Sequence, residues 1–253
     1  MCHQSWESND DPYTGSTSIE VTVEAGERMP GWSFAPRGPD RGAVLLAPDI
    51  FGPSPFYAEL TRRFAEAGFT ATLIDYFFRE GPLAEVSREA AFARRSQFDE
   101  QRALRDLHAA VDLVGTGRSR VGVVGFCLAG QFALDLAAER SDLATVGFYP
   151  FPEGVGGEVQ NPAPRPIDLV DRIHGPVLAM WGSADYIPQS VINAFRTAMH
   201  AAGVDYRPHV FDGAGHGFLQ GLVENRADSE IAREAWDTAM RFLSEAELTG
   251  RTS

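Results

Sequence analysis

Short apolar runs punctuate the chain at regular intervals, and longer amphipathic stretches separate them. Residues 43–47 (AVLLA) are uninterruptedly apolar, the pattern of a strand buried on both faces, whereas residues 19–24 (IEVTVE) alternate apolar and polar as an edge strand does. Residues 31–35 can pair with that edge strand as a hairpin. Further strands are predicted at 69–74, 121–126, 143–149, 176–181 and 206–211. Helices are predicted at 55–67, 128–140, 189–202 and 227–245, and another ends near Val114 after a long connection over 76–95. The alternation predicts an α/β fold, a mostly parallel sheet covered by helices on both faces with its working loops at the carboxyl ends of the strands. Residues 150–166, rich in Pro and Gly, are too short for an interdomain linker and read as a lid or rim. The expected organisation is a loose tail over 1–16, a single domain over 17–246 and a C-terminal tail over 247–253.

Composition narrows the class. With 253 residues, 44% of them hydrophobic, the chain can bury a sizeable core. A formal charge of −13 argues against nucleic acid and against anionic membrane surfaces as partners. No apolar run has transmembrane length, and the polar, acidic first thirty residues lack the apolar centre of a secretory leader. Cys2 and Cys127 sit in contexts that do not suggest each other, so a reducing, cytoplasmic setting is expected. Lysine is absent, which removes Schiff-base chemistry, and all 22 basic groups are arginines, suited to bidentate recognition of carboxylates. Neither H-E-x-x-H nor CxxC spacing occurs, so no metal and no cofactor is expected. A monomer or a homodimer fits.

The candidate chemistry centres on residues 121–130, VGVVGFCLAG. An apolar β-branched run enters a glycine, a cysteine follows two residues later, and small residues lie behind it, which is the layout of a nucleophile elbow. Such a turn pushes its central side chain outward on a strained backbone and needs small residues two before and two after, here Gly125 and Ala129. The following helix aims free N–H groups and the positive end of its dipole at Cys127, which favours thiolate. Two later strand-end loops supply an acid and a base: Asp185 in GSAD (182–185) and His216 in GAGHGF (213–218). The order nucleophile, acid, histidine is that of α/β-hydrolases. The plain alternatives are an inert buried cysteine, an Asp turn and a glycine-flanked loop histidine. His108 falls inside a predicted helix, His3 in the tail, and His174, His200 and His209 lack a glycine-framed strand end.

PDIFG (48–52), GFCLAG (125–130), GSADYIP (182–188) and AGHGF (214–218) together resemble the dienelactone hydrolase family of α/β-hydrolases, over about residue 19 to the closing helix. The resemblance implies a triad of Cys127, Asp185 and His216 and an oxyanion held by the backbone N–H groups of Ile50 and Leu128. Physics points the same way, because Leu128 heads a helix and Ile50 follows the third strand, where such enzymes place their other donor. Four further residues are expected near substrate: Asp49, where dienelactone-cleaving members carry a glutamate; Arg79, aligned with a carboxylate-binding arginine; Gln220, where a second arginine stands; and Tyr149, in an aromatic wall with Phe148, Phe151, Phe77 and Phe78. The function implied is opening of a lactone or activated ester through a Cys127 thioester. An esterase or thioesterase of secondary metabolism, or a redox protein using Cys127 as an oxidisable thiol, are the competing expectations.

Overall fold

The computed structural model describes residues 11–223 and 229–250. The elements follow in the order β1 (Thr17–Thr22), β2 (Arg28–Phe34), β3 (Ala43–Ala47), α1 (Pro55–Glu66), β4 (Thr70–Ile74), α2 (Arg88–Arg95), α3 (Glu100–Val114), β5 (Val121–Phe126), α4 (Leu128–Glu139), β6 (Leu143–Phe148), β7 (Val177–Gly182), α5 (Gln189–Ala201), β8 (Tyr206–Phe211) and α6 (Ser229–Glu245). All eight strands join one sheet in the order β1-β2-β4-β3-β5-β6-β7-β8. The β1–β2 hairpin adds antiparallel to β4, and the remaining pairs are parallel.

The two-residue period of a strand explains the continuous apolar runs. Val44 and Leu46 of β3 join one buried cluster, with Leu60 and Phe64 of α1 and Ala235 and Phe242 of α6. Leu45 and Ala47 join the other, with Leu104 and Val111 of α3 and Phe132 of α4. Each strand residue therefore meets a helix layer, and polar alternation has no place in the sheet centre.

Strand order also locates the working end. From β3 the chain moves outward to β4, then returns across β3 to β5 and continues to β8 on the other side. The loops leaving β3 and β5 thus diverge at a topological switch point, where open α/β sheets place ligands.

Three expectations change. The connection over 76–95 contains α2, whose buried residues are only Ala91 and Arg95, so it offers no apolar stripe to read. The expected loose tail 1–16 is packed where it is described: Tyr13 stacks on Trp32 at 3.9 Å, and Arg62 donates to the Pro12 carbonyl at 3.0 Å. At the other end Leu248 is buried against Gly42, and Ser119 N–H donates to the Gly250 carbonyl at 2.9 Å. Residues 1–10 and 251–253 of the expected tails, and the first residues of the expected closing helix, lie outside the described residues. Among the described residues no helix is long and apolar enough to cross a membrane.

The connection from β6 to β7 is fastened from below. Arg95, paired with Glu100, donates to the carbonyls of Val155 (2.8 Å) and Gly156 (2.9 Å), while Glu100 accepts from Ala163 N–H at 3.0 Å. Gln131 donates to the Pro164 carbonyl and accepts from Val155 N–H, both at 3.1 Å. The Trp181 indole N–H donates to the Pro150 carbonyl at 2.9 Å. The expected lid is a loop several of whose backbone polar groups are held by buried side chains.

Candidate active site

Cys127 sits between β5 and α4 with φ 56° and ψ −115°, a conformation costly for any residue with a Cβ. The surroundings enforce it. A Cβ at Gly125 would stand 2.0 Å from the Ala129 carbonyl oxygen, and one at Gly130 would stand 3.0 Å from the Pro150 Cα. Only hydrogen fits at the first position, as the sequence predicts. Cys127 N–H donates to the Phe148 carbonyl at 3.0 Å, tying the turn to the end of β6.

The acid and base loops leave adjacent strands and touch. A Cβ at Gly182 would stand 2.0 Å from the Ala214 carbonyl oxygen, so glycine is what lets these loops close on one another. Ala184 N–H donates to that carbonyl at 2.9 Å, and the Ser183 hydroxyl bridges to Asp212 (2.9 Å) and Gly213 N–H (2.8 Å). Asp185 then meets His216, its Oδ2 lying 2.9 Å from Nδ1, with both side chains buried. Asp185 Oδ1 also accepts from Ile187 N–H at 3.0 Å. The Asp turn and the carboxylate–imidazole pair are one structure. With Nδ1 facing a carboxylate, the other ring nitrogen, Nε2, is the one left to serve as acid or base.

The loop after β3 carries Asp49 and Ile50. Asp49 Oδ1 accepts from Phe51 N–H at 2.9 Å, which makes it a turn-forming side chain as well as a neighbour of the site. Behind the loop, the Tyr76 hydroxyl reaches the carbonyls of Pro48 (2.8 Å) and Asp49 (3.1 Å), and Arg94 Nη2 donates to the Ile50 carbonyl at 2.7 Å. Tyr57, fully buried, faces Asp49, Tyr149 and Cys127; burial first, and then these groups, hold its hydroxyl well above the ordinary tyrosine range. Tyr76 is raised in the same direction by burial, then by Asp49 and Cys127. Both phenols stay neutral donors across the working range. Tyr149, at φ 42°, packs its ring 4.7 Å from the imidazole of His216. Tyr57 thus has Cys127, Asp49 and Tyr149 as neighbours, and Tyr149 in turn packs on His216, all at the carboxyl end of the sheet.

Arg79 is not there, and its expected contact with substrate is corrected. Its guanidinium is spent on Glu27 (2.6 Å) and Asp106, a buried carboxylate on α3, and it lies over Phe78. Gln220 is buried in a short 3-10 turn four residues past His216, its N–H on the Gly217 carbonyl at 3.1 Å. Of the expected aromatic wall, Phe77 and Phe148 are core, Phe78 belongs to a cavity beside the β3 loop, and Phe151 with Tyr149 faces His216. Tyr57, Tyr76 and Arg94 were not singled out in the sequence. No motif marks them: Tyr76 and Arg94 act on backbone carbonyls distant in the chain, and Tyr57 lies on a helix as one more buried aromatic.

Comparison with known proteins follows this geometry. The profile of the dienelactone hydrolase family matches residues 29–247. A carboxymethylenebutenolidase of Rhodococcus opacus is 34% identical over 250 residues, covering 96% of each chain. Carboxymethylenebutenolidase 2 of Cupriavidus pinatubonensis (strain JMP 134 / LMG 1197) is 35% identical over 194 residues, 76% of this chain and 78% of that one. A solved structure from Klebsiella pneumoniae subsp. pneumoniae MGH 78578, provisionally assigned as a dienelactone hydrolase, shares the fold with a TM-score of 0.80 at 24% identity, covering 91% of this chain and 98% of that one.

Proposed function

The chain belongs to the dienelactone hydrolase family, of α/β-hydrolase fold, and we propose that it hydrolyses a lactone or activated ester through a thioester on Cys127. The observation that carries the reading is the buried Asp185–His216 pair, held at 2.9 Å on the same sheet end as the cysteine elbow. A thiol kept only for redox sensing would give that pair no task.

In the proposed cycle, Cys127 Sγ as thiolate attacks the acyl carbon and forms a C–S bond, while the carbonyl electrons move onto oxygen. The backbone N–H groups of Ile50 and Leu128 receive that oxyanion, with the N-terminus of α4 adding its dipole. Collapse breaks the C–O bond, and the departing oxygen takes the proton from His216. Water, deprotonated by the same imidazole, then attacks the thioester and releases the acid and the thiolate. Asp185 fixes the tautomer and balances the imidazolium. A tetrahedral adduct on sulfur expels the better leaving group, so an enolate or phenolate departs where an alkoxide would lose to the thiolate. That preference agrees with the carboxymethylenebutenolidase names of the two relatives.

A burst experiment with p-nitrophenyl acetate tests the reading. Wild type should release one equivalent of nitrophenol in a burst and carry an acetyl group on Cys127 by mass spectrometry. Cys127→Ala and His216→Ala should each fall below about a hundredth of wild-type kcat, and the double variant should be scarcely worse, because the two act as one unit. Cys127→Ala with wild-type turnover would end the covalent mechanism.

A further inference from the structure

A cavity of 330 Å³ opens between the N-terminal half of α2, the loop after β6 and the loop after β7. Its walls include Phe92, Phe151, Tyr186 and Val191. Two of these rings also pack on His216: Tyr186 at 4.5 Å and Phe151 at 5.6 Å between centroids. The cavity therefore lies beside the imidazole, sharing two rings with it. The larger cavity, of 560 Å³, is walled by the loop after β3 and by Trp32, and none of its lining rings is paired with His216. Phe92 and Tyr186 are among the few large apolar side chains left substantially exposed, although burying either would be favourable, and both stand on this mouth. Over them lies Arg88, its guanidinium 5.4 Å from the Phe92 ring and 5.7 Å from that of Tyr186. Among the described residues no carboxylate lies within ion-pair distance of Arg88; Glu153, exposed, is the other charged group on the cavity wall.

We propose that this cavity is the leaving-group subsite, shaped for an aromatic or conjugated enol group. The inference rests on the hydrolase reading, and it follows from which half of the ester must stand where. The acyl carbon has to lie between Cys127 and the Ile50 loop, whereas the departing oxygen has to lie within reach of the His216 proton. The cavity walled by rings that touch His216 is the one beside that oxygen. Flat aromatic walls accept a flat ring by offset stacking. As the C–O bond breaks, negative charge spreads into the departing ring, and Arg88 is the nearby cation able to meet it.

Deacylation gives the test its discrimination, because the leaving group has gone by then and every acetate ester yields the same acetyl-enzyme. The probes are 2-naphthyl acetate, whose leaving group fills the cavity, and vinyl acetate, whose leaving group is a small enol. The variants are Arg88→Ala, Phe92→Ala and Val191→Trp, the last filling the space, with folding checked by circular dichroism. Each should lower kcat/KM for 2-naphthyl acetate about three- to tenfold, leave vinyl acetate little changed, and leave the single-turnover decay of the acetyl-enzyme unaltered. Equal losses on both esters, or a changed decay of the acetyl-enzyme, would overturn the subsite while the hydrolase reading stands. A wild type that acetylates with neither ester would overturn both.

Discussion

Ile50 is held at both of its flanking peptides. The Asp49 carbonyl and the Ile50 N–H belong to one peptide plane, so the Tyr76 hydroxyl, its one proton shared between that carbonyl and the nearer Pro48 carbonyl, helps to fix where the N–H points. Arg94 does the same for the next peptide, at 2.7 Å from the Ile50 carbonyl, with its guanidinium stacked 3.9 Å over Phe77. Tyr76→Phe and Arg94→Met are therefore expected to lower kcat roughly five- to fiftyfold, with KM less affected, because the oxyanion exists only beyond the ground state. Alkylation of Cys127 by iodoacetamide forms no oxyanion, and its rate should be nearly unchanged in both variants. A parallel loss of alkylation would mean that the elbow itself had moved. The elbow was legible in the sequence because its demands are local: Gly125, Cys127 and Ala129 constrain one another within a single turn. The roles of Arg79 and Arg94 were not, since Arg79 finds Glu27 at a separation of 52 residues and Arg94 finds Ile50 at 44. An arginine near a strand end looks the same in sequence whether it meets substrate or a distant carboxylate.

The same contrast holds among elements. The buried strands announced themselves by apolar runs, the amphipathic helices α1 and α5 match the expected bounds closely, and α3 ends where the sequence predicts. Helix α2 was hidden because it faces mostly outward and because its principal inward group is a charge, Arg95. That charge is what holds the β6–β7 loop. Arg95 and Glu100 are both almost wholly buried and lie 2.6 Å apart, and between them they bond three loop peptides. Removing one partner strands the other, so Arg95→Met should cost about 3–5 kcal/mol, measured by urea denaturation. Arg95→Met with Glu100→Gln should recover part of that loss, and the recovered variant should still be slow if a fixed loop is needed to hold Phe151 against His216. A single variant as stable as wild type would show that the latch contributes little.

At the scale of the molecule, one buried group adds a downward component to the response of stability to pH. Asp135 on α4 is fully buried, and the Gln131 amide beside it, engaged by Pro164 and Val155, offsets little of that burial. Burial first, then Glu139 and Glu100, raise it well above the ordinary carboxylate range. The folded chain thus keeps a proton that the unfolded chain gives up, and stability falls as pH rises from the unfolded value of 3.8 toward the raised folded one. In Asp135→Asn this downward component should disappear, so the variant gains on wild type as pH rises and the gain vanishes at acid pH. Thermal melts of both across the pH range check it, and parallel curves would refute it. A formal charge of −13 adds a second whole-molecule effect: kcat/KM for an anionic ester should rise with ionic strength, and that for a neutral ester should not.

Trp181 has a practical consequence. Its indole is fully buried, and its single N–H rests on the carbonyl of Pro150, the residue before Phe151. The ring is an optical gauge of the loop that lines the site. If the loop lifts, the indole loses both its acceptor and its apolar surroundings, and its emission shifts to the red. With Trp6, Trp32 and Trp236 replaced by phenylalanine, stopped-flow fluorescence reads whether the loop stays seated or lifts during a single turnover, with no label attached to the protein.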